Sequence, residues 1–154
     1  MTTEELKEAA QRSLDKIDVK VGDHKVFLDD IPDFHYGTYY SVEENTIYRT
    51  TVGERGYHKK EALDSLEDAL FQIYYCVTSQ VAAKYAIKHH DDGSGLDWRR
   101  TMHAKQLELL KQIGESYYIQ GQKSIEGALG VWPYLDRQPS LFWKFRKWIR
   151  TLWK

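Results

Sequence analysis

A chain of 154 residues, 42% hydrophobic and 29% charged, is long enough to bury an ordinary core as one domain without disulfide or metal staples. Its single cysteine, Cys76, excludes an internal disulfide and a cysteine-rich zinc site, and suits a reducing cytoplasm. The formal charge of −1 conceals an asymmetry: residues 137–154 hold six basic residues and no acid, which leaves residues 1–136 at −7, an acidic body that repels nucleic acid and attracts a basic partner.

The N-terminal stretch is charged throughout, which speaks against a signal peptide, and no apolar run approaches the roughly 20 residues needed to span a bilayer. Thr2 with Glu5 offers a capping box, and Leu6, Ala10, Leu14 and Ile17 form an apolar stripe, so an amphipathic helix is predicted first. Gly22-Asp23 ends it. Three β-rich runs follow, at residues 24–29, 34–42 and 46–52, with the acidic turn Glu43-Glu44-Asn45 between the second and third. They predict a small antiparallel meander, with Gly37 as a bulge. The polar segment 53–64 reads as a loop or strand end.

Residues 64–113 are predicted to form a helical hairpin. In its first helix Leu66, Leu70, Ile73, Val77, Val81 and Tyr85 recur at helical spacing as a core face, beside a line of small residues, Ala69, Cys76 and Ala83. Ser65 and Asp68 predict a reciprocal capping box, and Gly93 and Gly95 mark the break. Asp97 is placed to cap the second helix, whose face carries Trp98, Met102, Leu109 and Ile113, with Leu107 and Leu110 beside it. Gly114 breaks the chain again, and residues 116–130, with Tyr117, Ile125 and Leu129, predict a further helix ended by Trp132-Pro133-Tyr134. The fold class is therefore α+β: an N-terminal helix, a small antiparallel β-meander, a helical hairpin and further C-terminal helices. Residues 1–136 form one domain in this reading, and residues 137–154 a basic, aromatic, amphipathic helix.

Catalytic signatures are absent: there is no Gly-rich phosphate loop, no GxSxG, no HExxH and no CxxC. No catalytic residue, cofactor or metal is assigned. His89-His90-Asp91-Asp92 is metal-like in composition, but adjacent helical histidines diverge by about 100° and zinc-type spacing is missing, so a solvated helix end is preferred. His24, His35, His58 and His103 are scattered singly. Glu54, Arg55, Asp97, Arg99 and Arg100 make a charge cluster with two readings: a grip on a partner or anion, or an internal ion pair such as Glu54 with Arg99 or Arg100. The internal pair is preferred. It alone predicts that Arg99→Ala lowers thermal stability with no partner present.

In the C-terminal stretch Leu141, Phe145, Trp148 and Leu152 share a helical face behind Ser140. Trp143, Lys144, Arg146, Lys147, Trp148 and Arg150 are its characteristic residues. Such a helix either docks its aromatic face on the domain, the preferred reading, or lies on a membrane surface.

Several segments in order carry a family resemblance. They are Glu54-Arg55-Gly56, then Glu67-Asp68-Ala69-Leu70-Phe71 through Thr78 to Tyr85, Asp97-Trp98-Arg99-Arg100, Gln106-Leu107-Glu108-Leu109-Leu110 and Pro133-Tyr134. Over about residues 50–135 the chain resembles the bacterial immunity-protein family 63, encoded beside polymorphic toxins, and departs from its pattern at Ala69, Ala86 and His103. The resemblance implies a cytoplasmic protein that binds and neutralises a cognate toxin domain without catalysis. An acidic body suits a basic toxin such as a nuclease, with Asp29, Asp30, Asp33, Glu43 and Glu44 as candidate contacts. The alternative is a peripheral membrane or general interaction module acting through the basic, Trp-rich C-terminal helix.

Overall fold

The first helix, α1, spans Thr3–Leu14 and opens on the predicted capping box: Thr2 Oγ1 accepts from the Glu5 N–H at 3.2 Å, and the Glu5 carboxylate accepts from the Thr2 N–H at 2.7 Å. Its stripe is core. Leu6, Ala10 and Leu14 are fully buried, and Ile17 packs beside them from a short 3-10 turn, Asp15–Ile17. The computed structural model describes residues 1–27, 36–53, 58–138 and 140.

A three-stranded antiparallel sheet of order β1-β2-β3 comes next, built from β1 (Gly37–Glu43), β2 (Thr46–Val52) and β3 (His58–Ala62). Strands β1 and β2 are joined by Glu44 and Asn45, both at positive φ (49° and 66°), as a two-residue primed turn requires. The runs at 34–42 and 46–52 supply β1 and β2 as predicted, but the third strand is not the predicted one. Among its described residues, the run at 24–29 contributes Phe27, in an isolated parallel bridge to Tyr40, with the Val26 carbonyl accepting from the Tyr40 N–H at 2.9 Å. The third strand comes instead from the polar segment 53–64, read as a loop or strand end. His58, Lys59 and Lys60 are exposed, so β3 has no apolar alternation to betray it; it is an edge strand held by its ladder and by cross-strand charge. Arg49 and Glu61, directly opposed in register, pair at 2.5 Å. Gly37 pairs one-to-one with Val52 and no extra residue enters the ladder, so it makes no bulge.

Helix α2 runs from Leu66 to His89. Ser65 Oγ accepts from the Asp68 N–H at 3.1 Å, but the box is one-sided, because Gln72 Nε2 occupies the Asp68 carboxylate at 3.0 and 3.1 Å. The buried residues are Ala69, Ile73, Tyr74, Val77, Thr78, Ala82 and Ala86, whereas Leu66 and Tyr85 of the predicted face are exposed. The reason is geometric: α2 touches α1 and the sheet on one flank and a following helix along the other. Close approach there selects alanine and threonine, which hydrophobicity ranks low.

That following helix, α3 (Trp98–Ile113), is capped by Asp97 as predicted and buries Gln106, Leu109, Leu110 and Ile113. Gln106 Nε2 donates to the Tyr75 carbonyl at 3.0 Å, a buried polar tie between α3 and α2. Trp98 is exposed, contrary to its assignment to the core face, because as the first residue of α3 it stands on an open cleft beside Leu96 and Trp132. Gly114 alone separates α3 from α4 (Glu115–Val131). The core is common to α1, the sheet and the hairpin: Leu6, Leu14, Val26, Phe27, Tyr40, Ile47, Ile73, Tyr74, Leu110 and Ile113 form one cluster. Tyr74 meets Tyr117 edge-on, with ring centroids 4.9 Å apart.

Gly127, on the exposed side of α4, has nothing within 4 Å of where a Cβ would stand. Gly127→Ala is therefore expected to stabilise the protein by about 0.5–1 kcal/mol through lost unfolded-state entropy, read as a higher denaturant midpoint at unchanged slope.

Candidate functional site

Helices of 16 and 17 residues joined by one glycine bring the end of α4 back beside the start of α3. There the chain after α4 is zipped antiparallel onto the loop before α3. The Leu135 N–H donates to the Asp97 carboxylate at 2.8 Å, and the Asp97 N–H donates to the Asp136 carboxylate at 2.9 Å. The Arg137 N–H reaches the Gly95 carbonyl at 2.5 Å, and the Ser140 N–H the Gly93 carbonyl at 3.2 Å.

Side chains lock this zipper. Asp97 caps α3 through the Arg99 N–H at 2.9 Å and also receives Arg99 Nε at 3.1 Å and Nη2 at 2.6 Å. Arg99 then spans to the Trp132 and Pro133 carbonyls, at 3.0 and 2.7 Å, satisfying acceptors at the end of α4. Arg100 pairs with Asp136 through Nε and Nη2, the latter at 2.5 Å, and its guanidinium lies 4.1 Å over the Tyr134 ring. Tyr134 in turn shares a 2.8 Å hydrogen bond with His103 Nδ1.

The electrostatics follow. Arg99, with help from the Leu135 and Arg99 backbone N–H groups, holds the Asp97 carboxyl well below the usual carboxylate range against the opposing effect of burial. Arg100 lowers Asp136 likewise. Burial, and then the charge of Arg99, pushes His103 down, so its imidazole favours the neutral form. Two arginines and two aspartates thus neutralise one another in a rigid tie. Beside it opens a cleft of about 670 Å³ lined by His90, Leu96, Trp98, Trp132, Pro133, Leu135 and Arg137.

A second cleft, about 570 Å³, lies between the sheet and α2 around Arg49. Arg49 Nη1 donates to Gln72 Oε1 at 2.9 Å, and Nη2 pairs with Glu61, which Lys59 also reaches at 2.6 Å. These two cations, Arg49 first, lower Glu61 to about 2. Burial raises Tyr40, Tyr75 and the Cys76 thiol, all lining this cleft.

Of the residues singled out from sequence, Asp97, Arg99 and Arg100 are brought together, with Asp97 and Asp136 as the partners of the arginines. Glu54 and Arg55 lie outside the described residues, so the suggested Glu54 pair lies there too. Glu43 pairs with Lys60 at 2.5 Å and Glu44 sits in the β1–β2 turn. Asp29, Asp30 and Asp33 lie outside the described residues, as do Trp143, Lys144, Arg146, Lys147, Trp148 and Arg150. His89 stacks on Tyr85, and His90 Nδ1 is 3.3 Å from Thr101 Oγ1. Among the described residues no group of three or more histidine, cysteine or acidic side chains is placed to hold a metal ion, and no helix is long and apolar enough to cross a membrane.

Sequence reasoning missed Asp136 and the backbone zipper. The signal was present: two predicted helices of nearly equal length with a short break at Gly114 return the end of the second to the start of the first. A family model described as Immunity protein 63 matches residues 44–127, from the β1–β2 turn into α4. No curated protein and no solved structure matches the chain.

Proposed function

Since the chain belongs to the Immunity protein 63 family, we propose that it binds a cognate bacterial polymorphic toxin and neutralises it by occupancy, without catalysis of its own, in the cytoplasm of the cell it protects. The observation that carries this reading is the family match, which spans more than half of the chain and takes in β2, β3, α2, α3 and most of α4. An inhibitor that acts by binding needs a scaffold whose surface does not rearrange, since every side chain ordered on association costs affinity. The zipper between residues 93–97 and 135–140 suits that need by fixing both ends of the α3–α4 pair. In this reading Asp97, Arg99 and Arg100 organise the scaffold and do not meet the toxin. The acids Asp29, Asp30, Asp33, Glu43 and Glu44 meet a basic toxin face, in line with the −7 formal charge of residues 1–136.

The test is co-purification with the C-terminal domain of the toxin encoded beside this protein, titration calorimetry, and co-expression in a sensitive host. One-to-one binding with rescue of growth is the expected result. Failure to bind at micromolar concentration, with no rescue, overturns the proposal.

A further inference from the structure

We propose that the end of the molecule where α3 begins and α4 ends is a lipid-docking face that takes an anionic bilayer surface. Four large apolar side chains line the cleft there while facing solvent: Leu96 is 52% exposed, Trp98 45%, Trp132 72% and Leu135 74%. Large apolar residues gathered in this way mark an interaction surface, whereas single exposed ones do not. Two of the four are tryptophan, the side chain that favours the water–lipid boundary.

Charge selects the occupant. Arg137 lines the same cleft, and the two aspartates beside it, Asp97 and Asp136, are neutralised by Arg99 and Arg100. The chain leaves the described residues at Ser140, whose N–H is bonded to Gly93. Residues 141–154, which follow in the sequence, hold five basic residues, three tryptophans and no acid. An anionic surface would attract the basic sequence that follows Ser140 and repel the acidic remainder of the chain, which turns the exposed apolar side chains beside Ser140 toward lipid. Neither signal suffices alone, because firm peripheral attachment takes both buried apolar area and basic charge. The backbone is suited to the load: the zipper and the arginine pairs hold the cleft walls, so docking orders little.

The test uses the full chain and vesicles of phosphatidylcholine with and without phosphatidylglycerol, at low salt. The chain has five tryptophans, and Trp143→Phe/Trp148→Phe/Trp153→Phe leaves only Trp98 and Trp132 to fluoresce, both in the proposed face. Expected are binding to the phosphatidylglycerol vesicles only, a blue shift in this triple variant and quenching by brominated lipid. Trp132→Glu/Leu135→Glu, two exposed positions, should weaken vesicle binding at least about tenfold with an unchanged circular dichroism spectrum. Absence of binding to anionic vesicles overturns the proposal. So does binding in which Trp98 and Trp132 stay unquenched, or in which the glutamate variant binds like the parent. Loss of toxin binding in the glutamate variant, with no vesicle binding by the parent, assigns the face to the protein partner instead.

Discussion

Asp97→Ala is expected to lower the stability of the isolated protein by about 3 kcal/mol, a fall in Tm of roughly 6–12 °C for a chain of this size. One buried carboxylate caps α3, anchors the Leu135 N–H and receives Arg99. Removing it leaves the cap and the Leu135 donor unsatisfied. Asp97→Asn keeps an acceptor for the cap and should cost less, which separates the cap from the charge. The pH dependence has a defined sign. Asp97 and Asp136 titrate lower in the folded protein than in the unfolded chain, so the stability they contribute is present above about pH 4 and is lost as pH falls through their folded values. The gap between parent and Asp97→Ala should therefore narrow below about pH 4; a constant gap from pH 7 to pH 3 in thermal melts would show that the charge contributes nothing. His103 acts in a higher window. Its depressed folded value means that stability declines as pH falls from about 6.5 toward that value.

A second large effect is expected in the core. Leu110 is fully buried where α3 meets α4, and Leu110→Ala should cost about 3–4 kcal/mol, the range for a leucine whose cavity cannot collapse. Gly121 of α4 sits against it: a Cβ there would stand 2.5 Å from Leu110 Cδ1. Gly121→Ala alone should therefore destabilise by about 1–2 kcal/mol, overpacking outweighing the better helix propensity of alanine. In the Leu110→Ala background the same methyl enters vacated space, and Gly121→Ala should become neutral or stabilising. Urea denaturation of all four proteins measures the coupling; additive effects would mean that the two positions do not share one contact.

These two sites bear on function through the same element pair. The α3–α4 hairpin fixes the face formed by Leu96, Trp98, Trp132 and Leu135, so a variant that loosens the pair is expected to blur that face before it unfolds the sheet. Toxin neutralisation and lipid docking are separable on this geometry. Of the acidic residues proposed for the toxin, Glu43 and Glu44 lie at the end of β1 and in its turn, whereas the aromatic residues proposed for lipid lie at the ends of α3 and α4.

Local signals in the chain were enough for α1, the β1–β2 hairpin, the Asp97 cap and the Gly114 break, because each rests on contacts between near neighbours: a capping box, a two-residue turn, a side chain bonded two residues on, a residue that interrupts a periodic pattern. The family segments were legible for the same reason, as short runs in order. What no local signal carried was decided by packing at long range. Strand β3 exists because β2 offers a free edge and Arg49 stands opposite Glu61, although its own residues are polar. The buried face of α2 is rotated onto Ala82, Thr78 and Ala86 because two neighbours press on that helix, and small side chains are what close approach tolerates. Arg100 finds Asp136, 36 residues away, only once α3 and α4 have folded back on each other. Local sequence determined the helices, the β1–β2 hairpin and the breaks between them; the tertiary structure decided where the third strand lies, which charges meet and which aromatic residues stay in solvent, since each depends on where distant parts of the chain are brought to rest.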